Sequence, residues 1–103
     1  MGIEVISRFI GKATVLTIAY VYDKERVNLV DPSGSIKVTI TDPDGTKVAD
    51  AEDMVKVSTG IYEHYLRTTT SYVKGWYPVE VLVVDGAGAL AITSPATTSF
   101  EII

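Results

Sequence analysis

Apolar and polar positions alternate with a period of two along most of the chain, most cleanly where Ile36, Val38 and Ile40 are set against Lys37, Thr39 and Thr41. A side chain that returns to the same face every second residue marks a half-buried strand, so residues 35–41 are predicted as a strand with the three aliphatics inward. Tyr77, Val79, Val81 and Val83 repeat the pattern over a strand at 76–84, and Phe100 and Ile102 alternate with Ser99 and Glu101 in a last one. Residues 61–67 form a further strand whose candidate inward set is Tyr62, His64 and Leu66. The run 13–22 is apolar on both alternation sets, Leu16, Ile18 and Tyr20 against Val15, Ala19 and Val21, so its inward face stays open. Residues 4–10 read as a short edge strand of mixed polarity, and 46–48 and 54–58 as short strands.

Turn-forming residues divide these runs. Asp23-Lys24-Glu25-Arg26 opens a solvated loop that continues to Asp31-Pro32-Ser33-Gly34, and Asp42-Pro43-Asp44-Gly45 is a tight turn in which Gly45 takes the positive φ. Residues 49–53 read as an acidic bend, Thr59-Gly60 as a turn, and 68–74 as a surface loop. Asp85-Gly86-Ala87-Gly88 has the composition of a hairpin turn, after which Leu90 and Ile92 are expected to prolong the ladder until Ser94-Pro95 interrupts it. Pro78 lies inside a strand that should be central, which calls for a bulge or an outward-facing place at the strand's start, because proline has no N–H to give a ladder. Seven to eight short strands and no helical period predict an all-β sandwich or small barrel, since each strand has one face to bury.

Gly60 and Gly75 each precede a strand rich in aromatics. In Gly75-Trp76-Tyr77-Pro78-Val79, Tyr77 is placed to pack its ring inward and send its hydroxyl back to upstream backbone, the arrangement called a tyrosine corner. Tyr77, Gly75, Gly60 and Gly45 are therefore the residues on which the fold is expected to depend.

Composition narrows the functional classes. At 103 residues and 47% apolar content the chain suffices for one sandwich. A net charge of −4, with nine basic residues scattered along the chain, argues against nucleic acid, whose phosphates call for clustered Lys and Arg. The absence of cysteine removes disulfides, thiolate metal sites and a cysteine nucleophile. Glu4, Ser7 and Arg8 interrupt the apolar N-terminal run, so no signal peptide and no membrane insertion is expected; the protein stays where it is made, or the chain is a mature or excised domain.

Three groups carry candidate chemistry. His64, the one histidine, has neither a GxSxG elbow nor a second histidine to work with and reads as structural. Asp42, Asp44, Asp50, Glu52 and Asp53 have the donor type for calcium but lack a twelve-residue calcium loop, and read as a solvated rim; no cofactor or metal is expected. Trp76, Tyr72, Tyr65 and Tyr20 are the candidate binding surface, an aromatic platform for a sugar ring or a protein partner, against the plainer reading that Trp76 caps the core. Gly86-Ala87-Gly88 has no helix behind it to cradle phosphate.

The stretches SIKVTITDPDGTKV, MVKVSTGIYEHY and GWYPVEVLVVDG together resemble the Ig-like β-sandwich domains of prokaryotic surface proteins and of phage or virus structural proteins, from about Val15 onward. The Cys, Trp, Cys spacing of antibody domains is absent. The resemblance implies a scaffold, spacer or binding module and transfers no catalytic residue. It leads to the expectation of a non-catalytic structural or protein-interaction domain, partnered by itself or by a larger assembly on a virion or cell surface. The alternative is a carbohydrate-binding or other ligand-binding module built on the aromatics.

Overall fold

A computed structural model describes residues 2–23, 27–86 and 92–103. Its strands are β1 (Gly2–Phe9), β2 (Thr14–Tyr22), β3 (Ile36–Thr41), β4 (Lys47–Asp53), β5 (Val55–Ser58), β6 (Ile61–Arg67), β7 (Gly75–Asp85) and β8 (Ile92–Ile102). They form two antiparallel four-stranded sheets, β1-β2-β6-β5 and β4-β3-β7-β8. This is the strand order of an Ig-like sandwich, with A, B, E and D in the first sheet and C, F and G in the second, where one added strand lies beside C. Among the described residues no helix is long and apolar enough to cross a membrane.

The inner faces follow the period of two. Ile36, Val38, Ile40, Val79, Val81, Val83 and Phe100 are buried, as their alternation predicts, and so are Tyr62, His64 and Leu66. Pairing settles the face of β2. Val15, Thr17 and Ala19 stand opposite Leu66, His64 and Tyr62, so the set containing Val15, Ala19 and Val21 points inward and Ile18 and Tyr20 point out. At one end of the core the rings of Tyr72, Tyr77 and Phe100 stack in sequence, with centroids 6.2 and 5.1 Å apart, and Phe9 meets Phe100 edge-on at 5.9 Å. The Tyr77 hydroxyl donates to the Val73 carbonyl at 2.6 Å, four residues upstream, which closes the corner.

Two local expectations need correction. Residues 49–53 are not a bend but the body of β4, paired with β3 through two bulges. One surplus residue lies opposite Thr39, where Ala51 takes a φ of 48° and donates its N–H to Thr39 Oγ1 at 3.0 Å; a bulge breaks the period of two and so hides the strand. The chain then changes sheets at buried Met54, whose N–H donates to the Ile36 carbonyl.

Pro95 does not interrupt the last ladder, which runs unbroken from Asp85–Ile92 to Gly75–Ile102. Val84 N–H donates to the Ser35 carbonyl, so even-numbered residues of β7 turn their backbone groups to β3. Leu82 is one of them, and its partner Pro95 therefore turns its nitrogen to the open edge of β8, where no donor is missed. The same parity explains Pro78, which faces outward and makes no bulge. Its absent N–H would point towards β3 one residue beyond the last pair, Ile40–Val79. The expected charge cluster at 24–26, the Ala87-Gly88 part of the hairpin turn and Leu90 lie outside the described residues.

Candidate interaction surface

The four aromatic candidates do not meet. Trp76, 59% exposed, is on the outer face of the second sheet, while Tyr20 and Tyr65 are on the outer face of the first. Even these two stand on different cross-strand rows, Tyr20 opposite Ile61 and Tyr65 opposite Leu16. Tyr72 is taken up by the stack on Tyr77. The expected single platform is absent because strand order, which a pattern of alternation does not carry, sends neighbouring aromatics to opposite sides. Nor does any of the four line a hollow of about 270 Å³ beside Phe9 and Ile102 or one of about 510 Å³ over Thr39, Pro78 and Thr97.

The first sheet instead presents an apolar outer face. Its central row is Ile6, Ile18, Glu63 and Val55 across the four strands, flanked by the row Arg8, Leu16, Tyr65 and the row Glu4, Tyr20, Ile61. Ile6 is 51% exposed, Tyr65 54% and Val55 66%, so aliphatic and aromatic surface meets water directly. Glu4, Arg8, Glu63 and Arg67 are its charged members. An antiparallel sheet with one solvated face ordinarily turns polar side chains outward, so this face departs from what folding alone asks.

One margin of that face is tied down by Asp31, which sequence reasoning treated as a turn former only. Lys56 Nζ donates to Asp31 Oδ2 at 2.7 Å, and the Gly60 N–H and the Tyr62 hydroxyl donate to Oδ1, each at 2.9 Å. The hydrogen bond from Lys56, followed by that from Gly60, lowers the Asp31 pKa to about 2. Burial, with the Asp31 contact second, pushes Tyr62 up to about 12. Gly60 has a φ of 74°, and a Cβ there would come within 2.8 Å of Leu29 Cβ and of Val30 N, so the buckle requires glycine. Gly45 takes a positive φ in the tight turn, and Gly75 opens β7 against the Pro43 ring. A second tie joins Ser33 to Asp85, whose carboxylate accepts the Ser33 N–H and hydroxyl and is thereby held below its ordinary range. The partners in both ties are 25 to 52 residues apart, too far for any local motif to signal them.

His64 faces the core, and its Nε2 lies 2.9 Å from Glu52 Oε1 of the opposite sheet. Its Nδ1 has no hydrogen-bond partner, and the hydroxyl of its cross-strand neighbour Thr17 is fully buried and engaged with Ser7 at 2.7 Å. The acidic residues disperse. Asp42 Oδ1 accepts the N–H groups of Asp44 and Thr46, Asp50 pairs with Lys47 and Asp53 with Lys37, and no group of three metal-ligating side chains gathers among the described residues. No family model matches the chain, and no curated protein or solved structure shows significant similarity to it.

Proposed function

We propose that this chain is a non-catalytic structural or protein-interaction domain that works by association, through the first sheet's outer face and edge, as part of an assembly of its own copies or of other proteins. One observation carries the reading: the first sheet turns Ile6, Ile18, Tyr65 and Val55 to solvent on one continuous face. Burying such surface is favourable by about 25 cal/mol per Å², and contiguous apolar patches on soluble domains mark interaction sites. A virion or cell surface is the setting that the resemblance implies for such an assembly. The sugar-binding alternative has lost its convergent platform, and no other observation favours it.

Light scattering over a concentration series tests the proposal. Self-association that Tyr65→Ser weakens and Trp76→Ser leaves unchanged is the expected result. A strictly monomeric species up to millimolar concentration, together with saturable quenching of Trp76 fluorescence by a soluble sugar, would overturn it.

A further inference from the structure

The sides of the two sheets do not invite another strand. β1 runs alongside β8 of the same chain, with Phe9 packed edge-on against Phe100 at 5.9 Å. β5 is four residues long and carries a bulge, and β4 is bulged twice and acidic. Short, bulged and charged edges are the devices by which sheets avoid edge-to-edge association. The outer face of the first sheet has no such device, and it is there that a partner finds apolar surface to cover.

The charges on this face are ordered along the strands. Glu4 stands in the row of Tyr20 and Ile61, on one side of the central row that holds Ile6, Ile18, Glu63 and Val55. Arg8 stands on the other side, in the row of Leu16 and Tyr65, and Arg67, opposite Thr14, lies one row further. The face is thus acidic towards one end and basic towards the other. Glu4, Arg8 and Arg67 are exposed, and none of them has an ion-pair partner among the described residues.

Resting on the association reading above, we propose that the occupant of this face is a second copy of the chain, packed face to face with its strands antiparallel to those of the first. The twofold axis lies in the interface and crosses the strands near the central row. Sheets in sandwiches pack in this manner, about 10 Å apart and with strands aligned to within about 30°. A twofold axis in the interface leaves two aligned choices. An axis along the strands keeps every residue at its own height, so the Arg8 and Arg67 end of one copy lies on the same end of the other, and Glu4 meets the level of Glu4. An axis across the strands inverts the heights and sets the Arg8 end of each copy on the Glu4 end of the other. Because β1 then lies over β1, Glu4 meets Arg8 twice, and Ile6 and Ile18 meet their own copies beside the axis. Like charges set opposite one another are unfavourable and opposite ones attract, so the charge order selects this second choice. Glu63 opposes it, since it lies on the central row and comes close to its own copy.

Charge reversal tests the arrangement. Glu4→Arg alone sets Arg on Arg at both junctions, and Arg8→Glu alone sets Glu on Glu. Each should weaken dimerisation about tenfold or more in sedimentation equilibrium. An equimolar mixture of the two variants should recover wild-type affinity as a heterodimer, because each junction again joins opposite charges. Glu63→Gln, which relieves the like pair near the axis, should tighten the dimer severalfold. In a chain without cysteine, Ile6→Cys should be joined to its own copy by a short bis-maleimide, and Thr97→Cys, exposed on the outer face of the other sheet, should not. If wild type dimerises but both charge variants dimerise equally well, alone and mixed, or if Glu63→Gln does not tighten the dimer or Ile6→Cys escapes cross-linking, the antiparallel arrangement falls while the association reading stands. If wild type stays monomeric to millimolar concentration, the second copy is not the occupant and the proposal falls. The association reading falls with it only where no other protein binds the face, as read by loss of that binding in Tyr65→Ser. Far-ultraviolet circular dichroism of each variant confirms that the sandwich is intact.

Discussion

The two outer faces of the sandwich are built on the same kind of strand and differ in what they show to water. The second sheet presents Lys37, Thr39, Thr41, Glu80, Thr97 and Ser99 around the apolar Trp76, Pro78, Leu82, Val84 and Pro95, with a Lys37–Asp53 ion pair at 3.4 Å. The first presents Ile6, Ile18, Tyr20, Ile61, Tyr65 and Val55. Both inner faces are apolar, and that suffices to drive the sheets together. The two exteriors differ in degree: polar side chains dominate β3 and β8 of the second sheet, whereas aliphatic and aromatic side chains occupy most of the central row and its flanks in the first.

The comparison breaks if inner and outer positions of the polar sheet do not differ in energy, and the largest expected effect lies there. Ile40 and Val81 are fully buried. Ile40→Ala should cost about 2–4 kcal/mol in urea unfolding, from lost methyl groups and the cavity left behind, with Val81→Ala somewhat below. Lys37→Ala and Glu80→Ala, on the other face of the same strands, should stay within about 0.5 kcal/mol of wild type. Greater damage from Glu80→Ala than from Val81→Ala would mean that the register of β7 is misplaced.

Adjacent residues of β7 sharpen the same contrast. Tyr77 is fully buried, stacked between Tyr72 and Phe100, and its hydroxyl donates to the Val73 carbonyl; Trp76 beside it points to water. Tyr77→Phe keeps the stack and leaves that carbonyl short of a donor, so a loss of about 1–2 kcal/mol is expected. Trp76→Phe should cost less. Equal urea midpoints for wild type and Tyr77→Phe would remove the corner from the account of stability.

Much of this organisation is legible in the sequence because burial enforces a period of two wherever only one face is wetted. Where that premise fails, reading fails with it. Alternation does not choose the inward face of β2, because Leu16, Ile18 and Tyr20 are as apolar as Val15, Ala19 and Val21, and the structure shows why: the outer face of this sheet is largely apolar as well. The ambiguity was itself the trace of the surface. The full length of β4 is hidden by its bulges, which shift the alternation by a residue at each step. The aromatic platform failed for another reason, since residues close in sequence or equal in parity are sent to different sheets by a strand order that depends on long-range pairing.

The smallest expected effect lies at the β5 margin of the apolar face, where Asp31 holds Lys56, Gly60 and Tyr62 in place. Its carboxyl is lowered from an ordinary 3.8 to about 2, first by the hydrogen bond from Lys56. A group with a depressed folded pKa stabilises the native state above its unfolded pKa, and that contribution disappears as pH falls through the folded value. The window is therefore pH 4 to 2. Asp31→Asn should be less stable than wild type at pH 7, and the gap between their urea midpoints should narrow as pH falls through this window, because protonated Asp31 can no longer attract Lys56. Asp85, whose pKa is also lowered, titrates alike in both proteins and cancels in the difference. A gap that stays constant from pH 7 to pH 2 would show that the carboxylate's charge is not what holds the buckle, leaving hydrogen-bond geometry to account for the margin of the face.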